Sequence, residues 1–382
     1  MIDVVIPAYK AHKTIVRCLA SIACQTIVND LNVIIVNDDP DGASYTKQIK
    51  PFKSLGLKIK EIRRETNGGP GLARQDGIDA GESEFVTCID ADDTFAGTLA
   101  LEILLAGITE PVKLQTGEEI PDGFKCASAQ FIQLGEDLKH MVPHVNDMVW
   151  MFGKLYRRDF LEKYDIRFNT AALAGSRANE DTGFNTIVRL LCDNPAEQIR
   201  YMPEIVYYWH HKIDSITRIG DHQYEFDACY IGWTDNMIYA CKSARKHRPF
   251  SEQISRWEAE VMVRLYFYLV RCHDKKPVFF DQDWEYTKKY YNECYKRIDD
   301  QIDDKALAEI YSRQCVAEYG TGGMIDVMPY IGINEFMDQL RNEDYNPDHI
   351  KEVWKKMHDD DETAELINNN IACGVMPAEY WK

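Results

Sequence analysis

Hydrophobic and polar positions alternate in short blocks along the first hundred residues, and these blocks predict strands and helices in turn. Strands are indicated by short apolar or alternating runs, and helices by apolar residues at a spacing of three and four. In chain order the predicted elements cover 3–7 (strand), 14–25 (helix), 31–36 (strand), 57–62 (strand), 72–80 (helix) and 84–89 (strand). This succession is typical of an α/β fold, in which helices flank a mostly parallel central sheet.

The periodicity changes near Gly220 and becomes mainly helical for the rest of the chain. A chain of 382 residues is too long for one ordinary core. We therefore predict two domains, an α/β domain over 1–220 and a helical domain over 221–382. The predicted helices of the second domain are 225–247, 251–273, 283–298, 303–318 and one that begins near Asn346.

Acidic residues follow two of the predicted strands, at the point where each strand ends. Asp38 and Asp39 follow the strand at 31–36, and an Asp-Ala-Asp-Asp run begins at Asp90 after the strand at 84–89. Ligands of open α/β sheets bind beyond the carboxyl ends of the strands. Five neighbouring carboxylates repel one another unless a cation or several donors pair with them. Because Mg²⁺ and Mn²⁺ prefer oxygen ligands and often bridge to substrate phosphates, the sequence predicts a divalent metal site there.

The charge balance limits the possible partners. The chain has 44 basic and 62 acidic residues, a net charge of -18, and such a field repels nucleic acid and anionic lipid. The 11 cysteines are scattered without metal-type spacing, the N-terminus lacks a secretory signal pattern, and no apolar run is long enough to span a membrane. We expect a cytoplasmic protein with reduced thiols and no transmembrane segment.

Seven segments together resemble one known family. In chain order they are VVIPAYKAHKTIVRCLASIACQT, VIIVNDD, NGGPGLARQDGI, EFVTCIDADD, KLYRRDFLEKYDIRFN, ANEDTGFN and YYWHHKIDSIT. They resemble the nucleotide-sugar-binding half of family 2 glycosyltransferases of the GT-A fold, over roughly residues 1–220. The resemblance implies an inverting enzyme that takes a sugar from a nucleoside diphosphate, by preference UDP, and places it on a carbohydrate or another hydroxyl acceptor.

The resemblance also implies a role for individual positions on the nucleotide side. One of Asp38 and Asp39 would accept a hydrogen bond from the imide N–H of the base, and this choice stays open. Arg74 stands where a basic residue holds the nucleotide or the sugar. The other implied nucleotide-binding positions are Pro7, Ala8, Tyr9, Asn67, Gly68, Asp90 and Ala91.

The metal and the chemistry are assigned in the same way. Asp92, extended by Asp93, occupies the position that binds the metal. His211, or alternatively His210, occupies the position where some members of the family have a histidine near the diphosphate. Glu180 and Asp181 match the Glu-Asp pair of the family, with Asp181 as the general base that removes the proton of the acceptor hydroxyl. A Lewis acid on the leaving diphosphate and a positioned carboxylate are the groups that sugar transfer needs.

Two positions depart from the pattern of the family. Asp39 is followed by Pro40, which makes a shorter turn and weakens the assignment of uridine. Lys10 replaces the usual asparagine, and it is either a phosphate contact or a solvated side chain.

Other protein classes fit less well. A dinucleotide oxidoreductase needs glycines directly after the first strand, where this chain reads PAYKAH. A glycoside hydrolase has no need of a nucleotide-binding half. Two alternatives stay open, namely a noncatalytic nucleotide-sugar-binding scaffold and a transferase that modifies an unusual acceptor such as hydroxymethylated DNA. The helical domain is expected to shape the acceptor site or to form a homo-oligomer contact.

Overall fold

The computed structural model describes residues 1–111, 123–135, 139–170, 179–210 and 222–270, together with residues 306 and 310. The chain divides into two compact units, Met1–Arg248 and Pro249–Lys382. The first unit thus includes a helix that the sequence placed in the second domain. The predicted domain boundary near residue 220 stays a prediction, and residues 211–221 lie outside the described part of the chain.

Nine strands and nine α-helices lie in the described part of the chain. The strands are β1 (Ile2–Ala8), β2 (Leu31–Asn37), β3 (Lys58–Arg63), β4 (Phe85–Cys88), β5 (Thr94–Phe95), β6 (Cys126–Leu134), β7 (Met141–His144), β8 (Lys154–Arg157) and β9 (Ile199–His210). The helices are α1 (Ile15–Ala23), α2 (Thr46–Ser54), α3 (Pro70–Asp79), α4 (Ala100–Thr109), α5 (Arg158–Lys163), α6 (Glu180–Leu191), α7 (Pro195–Gln198), α8 (His222–Arg245) and α9 (Glu252–Val270).

The strands form one sheet in the order β3-β2-β1-β4-β8-β6-β9-β5, and β7 pairs with β6 beside this path. The pairs among β3, β2, β1 and β4 are parallel, as predicted. The other half of the sheet is mixed, because β8 pairs antiparallel with both β4 and β6 while β6 and β9 run parallel. The four parallel strands therefore bring their carboxyl ends to one edge of the sheet.

Helices cover the parallel strands closely. The predicted apolar stripe of α1 is buried at Ile15, Cys18, Leu19 and Ile22. β1 and β2 are buried along almost their whole length, which explains their continuous apolar sequence. On the other face α3 lies so close to β1 that a Cβ atom on Gly77 would come within 2.3 Å of Val5 Cγ1.

The predicted helices over 225–247 and 251–273 correspond to α8 and α9. The predicted helices at 283–298 and from Asn346 lie outside the described residues, as does 303–318 apart from residues 306 and 310. In the described part of the chain, no helix combines the length and the apolar character that crossing a membrane requires.

Candidate active site

The acidic loop after β4 places three carboxylates together. One oxygen atom from each of Asp90, Asp92 and Asp93 lies within 4.8 Å of the other two. Hard oxygen ligands at this spacing suit a divalent cation that keeps several waters and substrate oxygens in its shell. The donor set therefore fits Mg²⁺ or Mn²⁺ at the position that the sequence predicts.

Asp93 differs from the other two acids in its surroundings. It is buried, its Oδ2 accepts a hydrogen bond from the Tyr207 hydroxyl at 2.7 Å, and its Oδ1 accepts one from the His210 backbone N–H at 2.8 Å. Burial, together with the charges of Asp90 and Asp92, raises the pKa of Asp93 well above its usual range. Asp93 thus ties the acidic loop to β9, whereas Asp90 and Asp92 are partly exposed.

Arg74 joins the acidic loop to a second part of the site. Its Nη2 lies 2.7 Å from Asp90 Oδ1, and its Nη1 lies 2.6 Å from Glu180 Oε1. The side chain is almost fully buried, and the charges of the two carboxylates raise the pKa of Arg74 even though burial alone would lower it. Both ends of this guanidinium bind protein carboxylates, so Arg74 holds two acidic segments together.

The local structure of α3 explains how Arg74 reaches this position. Gly69 precedes the helix with a φ of 83°, a left-handed conformation that favours glycine, and Pro70 begins it. The close contact of Gly77 with β1 then sets the helix deep against the sheet. Arg74 lies one turn before Gly77 and is directed toward the edge where β4 ends.

Glu180 and Asp181 form the first turn of α6, and the two side chains have different environments. Glu180 is paired with Arg74. Asp181 is buried, and the hydrogen bond that its side chain accepts comes from the Thr182 backbone N–H at 2.9 Å. Burial and the charge of Glu180 raise the pKa of Asp181 from 3.8 to about 8, against the opposing effects of Arg74 and that hydrogen bond. A carboxyl with a pKa near neutrality is suited to proton transfer.

Asp38 holds the glycine-rich loop before α3. Its carboxylate accepts hydrogen bonds from the backbone N–H groups of Gly68 and Gly69 at 2.9 and 2.8 Å, and it forms an ion pair with Arg64 at 3.0 Å. Asn67 Nδ2 donates to the Asp38 backbone oxygen at 3.1 Å. Asn67, Gly68 and Asp38 are therefore close together, and the Asp38 oxygens are occupied by the protein itself.

Asp39 is buried beside Gly42, where a Cβ atom would come within 2.3 Å of Asp39 Oδ2. Across the strand end, Tyr9 is about half exposed and the Lys10 ammonium lies 5.0 Å from the centre of its ring. Lys10 has a φ of 50°, which is uncommon for a lysine, and its side chain is exposed. The loop after β1 thus presents an aromatic ring and a cation at the edge of the sheet.

Comparisons with known proteins identify the family. The family described as Glycosyl transferase family 2 matches residues 3–175. Residues 3–175 therefore carry a domain of glycosyltransferase family 2.

Curated relatives and solved structures agree with this result. The uncharacterized glycosyltransferase EpsJ of Bacillus subtilis is 24% identical over 237 residues, which cover 57% of this chain and 63% of EpsJ. The poly(ribitol-phosphate) beta-N-acetylglucosaminyltransferase TarS of Staphylococcus aureus is 33% identical over 93 residues, 24% of this chain and 16% of TarS. The chain spans 63% of EpsJ and a smaller share of the other curated relatives compared.

The fold agrees with that of TarS. The crystal structure of S. aureus TarS 1-349 in complex with UDP-GlcNAc matches with a TM-score of 0.55 and 19% sequence identity, covering 87% of this chain and 97% of that one. The predicted GT-A fold class is thereby confirmed, with a central sheet that is mixed rather than mostly parallel.

The site residues of this family 2 domain lie as follows. Pro7 and Ala8 close β1, and the side chain of Ala91 is part of the hydrophobic core, which leaves only its backbone for binding a ligand. His211 lies outside the described residues. His210 Nε2 lies 3.0 Å from Thr94 Oγ1, so the ring of this histidine is oriented by β5.

Two contacts were missed by the sequence reasoning. Tyr207, which anchors Asp93, stands in the quoted segment YYWHHKIDSIT but was not singled out. The Arg74–Glu180 pair was also missed, because the two residues are 106 positions apart and the sequence around either one does not indicate its partner. The run of three aromatic residues before the histidines in YYWHH is the one signal that could have indicated Tyr207.

Proposed function

We propose that the chain is a metal-dependent, inverting glycosyltransferase that moves a sugar from a UDP-sugar to an acceptor hydroxyl, with Asp181 as the general base. The observation that carries the proposal is the contrast between two adjacent acids: Glu180 is neutralised by Arg74, whereas the buried Asp181 has a pKa of about 8. Asp181 is thus prepared to exchange a proton near neutral pH.

In the proposed reaction, the Asp181 carboxylate accepts the proton of the acceptor hydroxyl. The hydroxyl oxygen forms a bond to the anomeric carbon of the donor while the bond from that carbon to the diphosphate oxygen breaks. Attack from the side opposite to the nucleotide inverts the anomeric configuration. The nucleoside diphosphate leaves with the bonding electrons, and the proton stays on Asp181 until solvent removes it.

The sequence predicts Asp92 and Asp93 as the metal ligands. We propose instead that Asp92 and Asp90 hold the divalent cation and that Asp93 fixes their loop, because both Asp93 oxygens accept hydrogen bonds from β9. This assignment is supported by the close approach of the three carboxylates and by the hydrogen bonds of Asp93 to β9. When bound, Mg²⁺ or Mn²⁺ would act as a Lewis acid toward the departing diphosphate. Arg74 orients Asp90 through their ion pair and contributes positive charge to the same region.

Asp39 is the better candidate for reading the nucleobase. Asp38 already accepts two backbone hydrogen bonds and an ion pair, so its oxygens are engaged. Asp39 and the exposed ring of Tyr9 lie on the neighbouring loops. The choice of UDP is supported by the similarity of fold to TarS, whose crystal structures hold UDP and UDP-GlcNAc.

A donor screen tests the proposal. The purified chain is incubated with a panel of UDP-, GDP- and dTDP-sugars, with Mn²⁺, with Mg²⁺ or with EDTA, and nucleotide release is measured. We expect release from a UDP-sugar that needs the divalent cation. Binding of UDP with metal but no release or transfer from any donor would instead identify a noncatalytic binding protein.

A carbohydrate or another hydroxyl compound is proposed as the acceptor, and the negative net charge disfavours nucleic acid. The proposed role of residues 221–382 in acceptor binding or in homo-oligomer formation stays a prediction.

A further inference from the structure

Two partly buried tryptophans lie in contact beside the proposed site. The ring centres of Trp150 and Trp209 are 5.3 Å apart, and Phe152 packs against both, stacked on Trp150 at 5.9 Å and tilted against Trp209 at 5.5 Å. We call Trp150 and Trp209 the tryptophan platform. The proposed reaction gives neither of these rings a role.

Trp150 is fixed to the helix that carries the proposed base. Asn185, which is fully buried in α6, donates from Nδ2 to the backbone oxygens of Val149 and Trp150 at 3.2 and 3.0 Å. Asn185 lies four residues after Asp181, and residues at this spacing share one face of a helix. The turn that carries Trp150 is therefore held against the same face of α6 as the carboxyl of Asp181.

A buried ion pair makes this turn rigid. The Asp147 carboxylate accepts hydrogen bonds from the backbone N–H groups of Val149 and Trp150 at 3.2 and 3.0 Å. The same carboxylate lies 2.8 Å from Lys154 Nζ, and that lysine is fully buried. Such a geometry fixes the backbone of Trp150 before any ligand arrives.

Trp209 is fixed to the acidic loop. It directly precedes His210, whose backbone N–H donates to Asp93. It is also the cross-strand partner of Gln133 in the β6–β9 ladder. Because the two rings touch, the platform joins the segment that carries the base to the segment that carries the metal ligands.

We propose that the tryptophan platform binds a pyranose ring of the acceptor and so directs its hydroxyl toward Asp181. This inference rests on the proposed function. The C–H face of a pyranose packs on an aromatic ring while its hydroxyls need neighbouring polar groups. Gln133, partly buried across the ladder from Trp209, supplies an amide beside the ring. Val142, the cross-strand partner of Gln133, and Val149, which precedes Trp150, have exposed side chains.

A lipid surface is a less suitable occupant. Membrane-surface segments combine apolar residues with Lys and Arg, because the headgroups of anionic lipids are negative. This chain has a net charge of -18 and places a glutamine beside Trp209. The observations therefore favour a saccharide.

The test separates stacking from simple packing. Trp150→Leu and Trp209→Leu keep an apolar side chain but remove the ring, whereas Trp150→Phe and Trp209→Phe keep a ring. The matched control is Trp257→Leu, which replaces a partly buried tryptophan of α9. The probes are methyl β-D-glucopyranoside, methyl β-D-galactopyranoside and methyl β-N-acetylglucosaminide, with the open-chain ribitol for comparison. Binding is followed by saturation-transfer NMR in full-length protein loaded with UDP and Mn²⁺, and donor hydrolysis by water is measured in parallel.

We expect at least one methyl pyranoside to bind wild type, both leucine variants to weaken that binding about 5- to 20-fold, and the phenylalanine variants to keep most of it. Donor hydrolysis should stay unchanged in all folded variants. Three results would overturn the proposal. The first is that ribitol binds wild type and no pyranoside does. The second is that the leucine and phenylalanine variants bind pyranosides equally well, and the third is that the platform variants lose binding to phosphatidylglycerol vesicles and not to pyranosides. Should a leucine variant not fold, the phenylalanine variants and saturation transfer from indole protons to the pyranoside decide the question.

The two proposals fail in different ways. Absence of nucleotide release from every donor in wild type refutes the glycosyltransferase function. Normal release and transfer, combined with pyranoside binding that does not depend on the two rings, refutes the platform alone.

Discussion

Arg74 Nη1 lies 2.6 Å from Glu180 Oε1, and this contact joins helix α3 to the first turn of helix α6. The same guanidinium binds Asp90, so one buried cation connects the segment of the proposed base with the proposed metal loop. The pair also distinguishes Glu180, which is neutralised, from Asp181, which is not.

Removing the cation should destabilise the fold and disturb the base. Arg74→Met leaves the Glu180 and Asp90 carboxylates without their partner in a largely buried site, and breaking such a pair typically costs about 3–5 kcal/mol in the free energy of unfolding. The double variant Arg74→Met/Glu180→Gln removes one orphaned charge and should recover part of that loss. Urea denaturation of both variants checks this, and an equal loss in the two would contradict the role of the Glu180 pair.

The pH dependence of transfer should report Asp181. Its pKa is raised to about 8, so kcat/KM is expected to rise with pH and to level off above about pH 8, where the carboxylate is present. Glu180→Gln removes a charge that raises the pKa of Asp181 and should move this limb to lower pH. A limb that does not move in Glu180→Gln would argue against Asp181 as its origin.

The raised pKa of Asp181 also predicts how the stability of the fold depends on pH. Because the folded-state pKa lies above the ordinary value of 3.8, the contribution of Asp181 is fully present below that value and is lost as pH rises through about 8. Asp181→Asn cannot ionise, so its thermal stability relative to wild type should improve from pH 6 to pH 9. Thermal unfolding over that range measures the difference, and a constant difference would show that Asp181 does not titrate there.

Asp92 and Asp93 should respond differently to substitution. Asp92→Asn is expected to fold normally and to lose the effect of Mn²⁺ on UDP affinity, because a proposed metal ligand loses its charge. Asp93→Leu removes the acceptor for Tyr207 and for the His210 backbone, and the buried donors left behind should cost about 1–3 kcal/mol each in folding stability. Calorimetric titration with UDP, with and without Mn²⁺, and thermal unfolding separate the two effects. Glu65→Gln, an exposed acid outside the site, is the control.

The depth of α3 against β1 should matter for both stability and activity. A Cβ atom on Gly77 would overlap Val5, and Gly77→Ala should therefore cost about 1–3 kcal/mol and shift Arg74. Val5→Ala makes room, so the double variant should lose less than the sum of the two single variants. Strict additivity in denaturant unfolding would show that the two positions do not compete for space.

The sequence predicted the parallel part of the fold well, because its strands are short apolar runs that end in polar residues. β1, β2 and β4 agree with the prediction, and so do the acids that follow β2 and β4. The mixed half of the sheet was less predictable, since the pairing of β6 with β8 and β9 is set by contacts between distant segments. For the same reason the sequence did not show the partners of these acids: Arg64 pairs with Asp38, Arg74 pairs with Asp90, and the Tyr207 hydroxyl donates a hydrogen bond to Asp93.

The most direct test of the account is a comparison of donor binding and sugar transfer in Asp181→Asn, with Glu65→Gln as the control. The amide keeps the shape of the side chain but cannot accept the proton of the acceptor hydroxyl. We expect the affinity for UDP-sugar and Mn²⁺ to stay close to that of wild type while the transfer rate falls by about 10²- to 10⁴-fold. Transfer by Asp181→Asn at the wild-type rate would contradict the assignment of Asp181 as the base.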